Sequence, residues 1–159
     1  MAEVAFYHLT ARSVDSALPP LLERSLARGW RAAVQGATAE RMQRLDSWLW
    51  SWRDESFLPH GGAQDPDPSS LPIYLTCDNH NPNRADVRFF LERVAVAPAL
   101  AGDAAPRLHA ALLFDGNDPA ELKDARAQWK VLRELGHSLV YYQQSEDGKW
   151  VEKAREPRP

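Results

Sequence analysis

Short apolar runs alternate along this chain with longer stretches in which apolar residues recur every three or four positions. The runs predict strands at Val4 to Leu9 (VAFYHL), Trp30 to Val34, Ile73 to Thr76, His109 to Phe114 (HAALLF) and Ser138 to Gln143 (SLVYYQ). Lys149 to Glu152 follows a turn at Glu146 to Gly148 and reads as a short hairpin partner. The periodic stretches predict helices. In Ser16 to Arg28, Leu18, Leu21, Leu22 and Leu26 mark one face, with Ser25 as its polar member and Gly29 as the stop. Pro19 and Pro20 break a helix interior but are tolerable in a first turn, where N–H groups lack partners, and are placed there. Thr38 caps a second helix with Glu40 in its first turn; Met42, Leu45, Leu49 and Trp52 recur at helical spacing and Trp48 flanks them. Trp50 points roughly 140° away from the centre of that face, which asks for a reason.

The third helix, Asp118 to Gly136, carries marks at both ends. Asp118 stands at the N-cap, Pro119 at the first helical position, Glu121 where it closes a capping box, and Gly136 at the stop. Leu122, Ala125, Trp129, Leu132 and Leu135 form its apolar face. Lys123, Arg126, Lys130 and Arg133 lie within roughly 80° of one another beside it, and Trp129 sits at the seam. A cationic stripe bordered by an aromatic suits an acidic ligand with an apolar end, since arginine offers a carboxylate a planar fork of donors. The plain alternative is a solvated helix face.

Strands alternating with helices predict an α/β sheet with helices on both faces, as a single domain over residues 1–159. Residues 63–72 are rich in Asp, Pro and Ser and read as a flexible loop; 78–85 is loop chemistry, and Pro98 to Pro106 a surface connection. Val87 to Val96 fits either element type, and residues 154–159 read as a frayed tail.

The chain has 159 residues, 44% hydrophobic and 26% charged, with net charge −3. A pI near 5.9 argues against bulk nucleic-acid binding, though net charge says little about one face. One cysteine excludes an internal disulfide. The N-terminus lacks the basic start and apolar run of a signal peptide, and no apolar run approaches the roughly 20 residues of a membrane span, so a cytoplasmic protein without membrane contact is expected.

Enzyme signatures are sparse. The turn after the first strand, TARSVDS, has neither G-x-G-x-x-G nor G-x-x-x-x-G-K-[ST], and no G-x-S-x-G elbow is present. Cys77 and His80 have a spacing compatible with two metal ligands, but a structural zinc needs four and no second pair exists, so neither a metal nor another cofactor is expected. His8 reads as a core histidine and His60 as a turn-holder; Asp115 and Asp118 stand where α/β enzymes place carboxylates, and Asp118 is already used as a cap. A small α/β enzyme with Asp115, His60 or His8 at the strand C-termini remains the alternative. Direct single-strand binding through the basic helix and tryptophans is a third, weaker reading, with the acidic balance against it.

Three pieces of the chain resemble the chi subunit of bacterial DNA polymerase III. FYHL (Phe6 to Leu9) followed by ALPPLLERSLARGWRAAV resembles the family's opening strand, helix and second strand. LDSWLWSWRDESFLPHG, Leu45 to Gly61, carries the specific LWxxxxxSFxPH pattern. RxxWKxxR at Arg126, Trp129, Lys130 and Arg133 is similar to the family's R-x-x-Y-K-x-x-R, with tryptophan where tyrosine is usual. The region 63–107 departs from the family in length and pattern.

The resemblance implies a three-layer α/β/α Rossmann-like sheet, P-loop-like in topology, without a nucleotide-binding loop. It implies a non-catalytic accessory subunit in DNA replication. Such a subunit links the clamp loader, through psi, to single-stranded DNA-binding protein by holding that protein's acidic C-terminal tail. DNA is then reached only through that protein. Arg126 and Lys130 would pair with acidic groups or the terminal carboxylate, Arg133 would add to the field, and Trp129 would wall the pocket for the apolar end. Trp50 and Phe57 stand at the family's contacts with psi or a helicase partner.

Overall fold

The computed structural model describes residues 2–52 and 58–157. Eight strands form one sheet: β1 (Glu3–Leu9), β2 (Ala32–Gln35), β3 (His60–Gly61), β4 (Ile73–Thr76), β5 (Val87–Leu91), β6 (His109–Asp115), β7 (Leu139–Gln144) and β8 (Trp150–Glu156). Their order is β3-β4-β2-β5-β6-β1-β7-β8, parallel throughout except for the β7–β8 hairpin. Three helices, α1 (Val14–Ala27), α2 (Ala39–Ser51) and α3 (Pro119–Glu134), cover it.

Alternation along the strands divides the core in two. Leu9, Phe89, Leu91, Ala111 and Leu113 pack with α1 and α2 on one face. Val4, Phe6, Phe90, Leu112 and Phe114 pack with Ala125 and Leu132 of α3 on the other. This is the expected three-layer α/β/α arrangement, in which the central strand β6 is apolar and buried from Ala110 to Phe114 because both of its faces are covered. No helix among the described residues is long and apolar enough to cross a membrane.

Several elements differ from the sequence reading. Ser13, not a later residue, caps α1 by accepting the Ser16 N–H at 3.1 Å, so Pro19 and Pro20 fall inside the helix rather than in its first turn. Pro19 cannot donate to the Asp15 carbonyl one turn back, and that carbonyl is met instead by the Trp48 indole N–H of α2 at 2.6 Å. The Val87 to Val96 stretch is strand only to Leu91. Glu92 then adopts a left-handed backbone (φ 63°) and its N–H bonds the Leu113 carbonyl at 2.8 Å. The segment 97–104 forms two 3₁₀ turns, and Ala99 is fully buried, so it closes the second core instead of merely connecting. Strand β8 continues to Glu156, so 154–156 are paired with β7 rather than frayed.

The long irregular region is held by polar groups that sequence pattern does not reveal. Arg88 of β5 is fully buried. Its guanidinium donates to the Gln35 Oε1 (2.7 Å), the His80 carbonyl (2.8 Å) and the Asp78 carbonyl (3.2 Å), tying the loop after β4 down on the sheet. Burial pushes its pKa down to about 10, opposed by Asp78 and Tyr74. Asp86 accepts from the Arg31 N–H (2.9 Å) and from Arg107 Nε (2.6 Å). Burial works to raise its pKa, but those partners outweigh it and hold it below the usual carboxylate range.

The turn after β1 is also closed from within. Gln144 of β7 places its amide oxygen 3.1 Å from both the Ala11 and the Arg12 N–H groups, and 3.4 Å from that of Thr10. In nucleotide-binding α/β proteins, N–H groups of this turn cradle phosphate. Here they converge on a neutral side chain of the same molecule.

Candidate functional site

Helix α3 begins as its sequence predicts at the cap and departs from it at the box. Asp118 Oδ1 accepts the Ala120 N–H (2.9 Å) and the Glu121 N–H (3.3 Å), which together hold its carboxyl below the usual range. Glu121 does not accept the cap's backbone N–H. Its Oε1 accepts the Asp115 N–H at 3.1 Å, while the Asp118 N–H is taken by the Asp115 carbonyl. The helix is thereby fastened to the end of β6. Gln128 fastens its middle, donating to the Val94 carbonyl (2.9 Å) and accepting the Val96 N–H (3.0 Å). Gly136 turns the chain away at φ 87°.

The buried stripe is narrower than predicted. Ala125 and Leu132 are buried, Leu122 and Trp129 are half-buried, and Leu135 is 56% exposed. On a helical wheel Leu135 lies roughly 80° from Ala125 on the flank away from Trp129, and it follows the last helical turn, so the sheet does not reach it.

Beneath the seam lies an aromatic cluster built by strand register. Parallel pairing places Phe6 beside Tyr141 and His8 beside Phe114. The Trp129 ring meets Phe6 edge-on at 5.2 Å and Tyr141 at 5.8 Å, while Phe6 and Tyr141 stack at 6.1 Å. His8 Nδ1 and the Tyr141 hydroxyl are 2.7 Å apart. Gly116 leaves room for this histidine, since a Cβ there would collide with the His8 ring. Burial, and behind it the Arg126 charge, pushes the His8 pKa down against the pull of Asp115. Burial raises that of Tyr141, with Arg126 opposing. The Arg126 guanidinium is therefore electrostatically coupled to both rings.

Above this cluster Lys123, Arg126, Lys130 and Arg133 are all exposed. No ion pair among the described residues engages any of them. The structure thus brings Arg126, Trp129, Lys130 and Arg133 onto one flank of α3, with Tyr141 and His8 joining them. Sequence pattern does not single out Tyr141 and His8 for this site, because the residues lie 133 positions apart and only the pairing of β1 with β7 unites them.

The second predicted surface is at the far end of the sheet. Trp50, in the last turn of α2, is 56% exposed, and its ring lies 4.3 Å from that of His60 in β3. His60 is buried, with Nδ1 2.6 Å from the Leu58 carbonyl, holding the turn as its sequence setting suggested. The Asp46 carboxylate lies 3.0 Å from its Nε2. Phe57 lies outside the described residues.

The residues named for the enzyme alternative fall in two places, with Asp115 close enough to His8 to act on its charge. His60 sits in the edge strand β3, well across the sheet from His8 in β1, and Asp115 Oδ1 is occupied by the Asn117 N–H at 2.9 Å. Cys77 is exposed, and the His80 ring lies beside Asp78 at 3.4 Å. Among the described residues no group of three or more His, Cys, Asp or Glu side chains is arranged to hold a metal ion.

The family described as "DNA polymerase III chi subunit, HolC" matches residues 1–140. The chain is similar to a "Probable DNA polymerase III subunit chi" of Rickettsia prowazekii, 27% identical over 100 residues, spanning 63% of this chain and 61% of that protein. It is also similar to the "DNA polymerase III subunit chi" of Pseudomonas aeruginosa, 25% identical over 142 residues, 87% of this chain and 94% of that one.

Proposed function

The chain belongs to the family of the DNA polymerase III chi subunit, and from that premise we propose that it is a non-catalytic adaptor of the replicative polymerase, acting in the cytoplasm. In this reading it links the clamp loader, through psi or a comparable partner, to single-stranded DNA-binding protein. The flank of α3 holds that protein's acidic C-terminal tail. Arg126 and Lys130 pair with its carboxylates, Arg133 adds to the field, and Trp129 walls the seat of its apolar end, backed by Tyr141 and Phe6. The observation that carries the reading is the union, on one helix flank, of a half-buried aromatic seam with exposed cations that no ion pair among the described residues engages. Charge alone would suit any anion; the seam adds the demand for an apolar terminus.

For the second surface, Trp50 and Phe57 meet psi or another partner. An exposed tryptophan beside a buried histidine is the kind of anchor on which such contacts concentrate their energy.

The test is a titration with a labelled acidic peptide that reproduces such a tail, at low and moderate salt, beside a copy without its terminal apolar residue. Saturable binding that weakens with salt, needs the terminal residue and falls at least about tenfold in Arg126→Ala is the expected result. Trp50→Ala should leave this binding unchanged while removing a psi-like partner. No binding at low salt would reduce the stripe to a solvated face, and loss of tail binding in Trp50→Ala would make Trp50 structural.

A further inference from the structure

On the face opposite α3, the β7–β8 hairpin carries the sheet beyond the edge of α1. A trough results, floored by strands and walled by the helix. Two adjoining cavities of about 340 and 400 Å³ make it up, sharing Leu21, Arg24 and Trp150. Its floor is aromatic. Tyr7 of β1 stacks on Tyr142 of β7 at 5.4 Å and meets Trp150 of β8 edge-on at 4.9 Å. Trp30 lines the other end, 5.3 Å from the His109 ring.

Its rim is basic. Arg24 and Arg28 stand one turn apart on α1 and at its C-cap, with Arg28 4.9 Å over the Trp30 ring. Arg12 lines the other end, beside Lys149, whose charge is met by Asp147 at 3.9 Å. No ion pair among the described residues engages Arg12, Arg24 or Arg28, whereas the acidic lining residue Glu3 lies 3.6 Å from Arg155. The net charge of −3 therefore masks a local positive strip.

We propose that this trough binds a short stretch of single-stranded DNA, with bases against the aromatic floor and phosphates along the Arg12, Arg24 and Arg28 rim. A basic groove tracking the backbone over rings that accept any base is how single strands are held without sequence preference. A duplex, whose bases are stacked inward, offers the floor nothing. An acidic peptide would satisfy the rim but make little use of the ring surface that Tyr142, Trp150 and Trp30, each half-buried, still offer the trough. The site is separate from the α3 flank, so a tail and a strand can be held together.

The experiment is fluorescence anisotropy of a labelled oligothymidylate at low salt, about 20 mM, with the full chain. Binding should weaken with a log–log salt slope of about −1.4 to −2.1, as for two or three phosphates. The double variant Arg24→Ala/Arg28→Ala should weaken it about tenfold or more, and Arg126→Ala should change it less than about twofold. Arg24→Glu, at a rim position on the helix surface, serves the same purpose if the double variant fails to fold. A matched duplex should bind at least about tenfold more weakly than the single strand, because stacking on the floor is lost. The proposal is overturned by no binding at low salt, by equal affinity for the duplex, by equal losses in the Arg126 and Arg24 variants, or by displacement of the strand by an acidic tail peptide.

Discussion

Arg126 and His8 form the smallest unit whose behaviour can be forecast. The unfolded chain releases its histidine proton less readily than the folded one, because burial and then Arg126 lower the His8 pKa on folding. The contribution of this group to stability is therefore whole above the unfolded value of about 6.5 and is lost as pH falls from there toward the folded value. A carboxylate seated beside Arg126 works the other way, since negative charge favours imidazolium. Tail binding and His8 protonation should then assist each other. Affinity for the acidic peptide should rise as pH falls below about 6.5, and the rise should vanish in His8→Gln. A profile that is the same in both proteins would remove His8 from the site. At this scale the sequence showed the cations and Trp129 but not the histidine's role. The HAALLF run of β6 and the FYHL run of β1 announce buried strands, and only their parallel register brings His8, Phe114 and Tyr141 together.

Elements were legible where their signals are local. The caps at Thr38 and Asp118, the glycine stops at Gly29 and Gly136, and the strand over Ile73–Thr76 all stand where residue chemistry put them. Helix α1 differs at its start because Pro19 and Pro20 suggest a first turn, whereas a tertiary partner makes an interior position tolerable. That partner can be tested. Trp48→Phe removes the indole N–H from the Asp15 carbonyl and should cost about 1 kcal/mol in urea unfolding. Pro19→Ala restores a helical donor to the same carbonyl, so in that background the cost of Trp48→Phe should largely disappear. Strict additivity of the two changes would show that the indole contact does not substitute for the missing bond. Arg88 illustrates the opposite limit of legibility. An arginine inside VRFFL looks like a solvent-facing residue of a strand, yet it is fully buried and donates to carbonyls of loops that no periodicity describes.

For the whole molecule, the three-layer fold was legible from the alternation of element types, and the family pattern fixed where to look for surfaces. What remained hidden was their mutual placement. The α3 flank lies on one face of the sheet, the α1 trough on the other, and Trp50 toward the β3 edge. Surfaces so separated should be independent. Affinity for the tail peptide measured with and without saturating oligothymidylate should agree within about twofold, since no residue is shared. A larger difference would mean that the two ligands compete for, or jointly reshape, one region.

Gln144 gives this layout its constancy. Its amide oxygen sits in the turn where related architectures read a phosphate, so three N–H groups there are already met by the molecule's own side chain. In the adaptor role proposed above, a turn closed in this way asks for no nucleotide, and timing falls to the partners on either side.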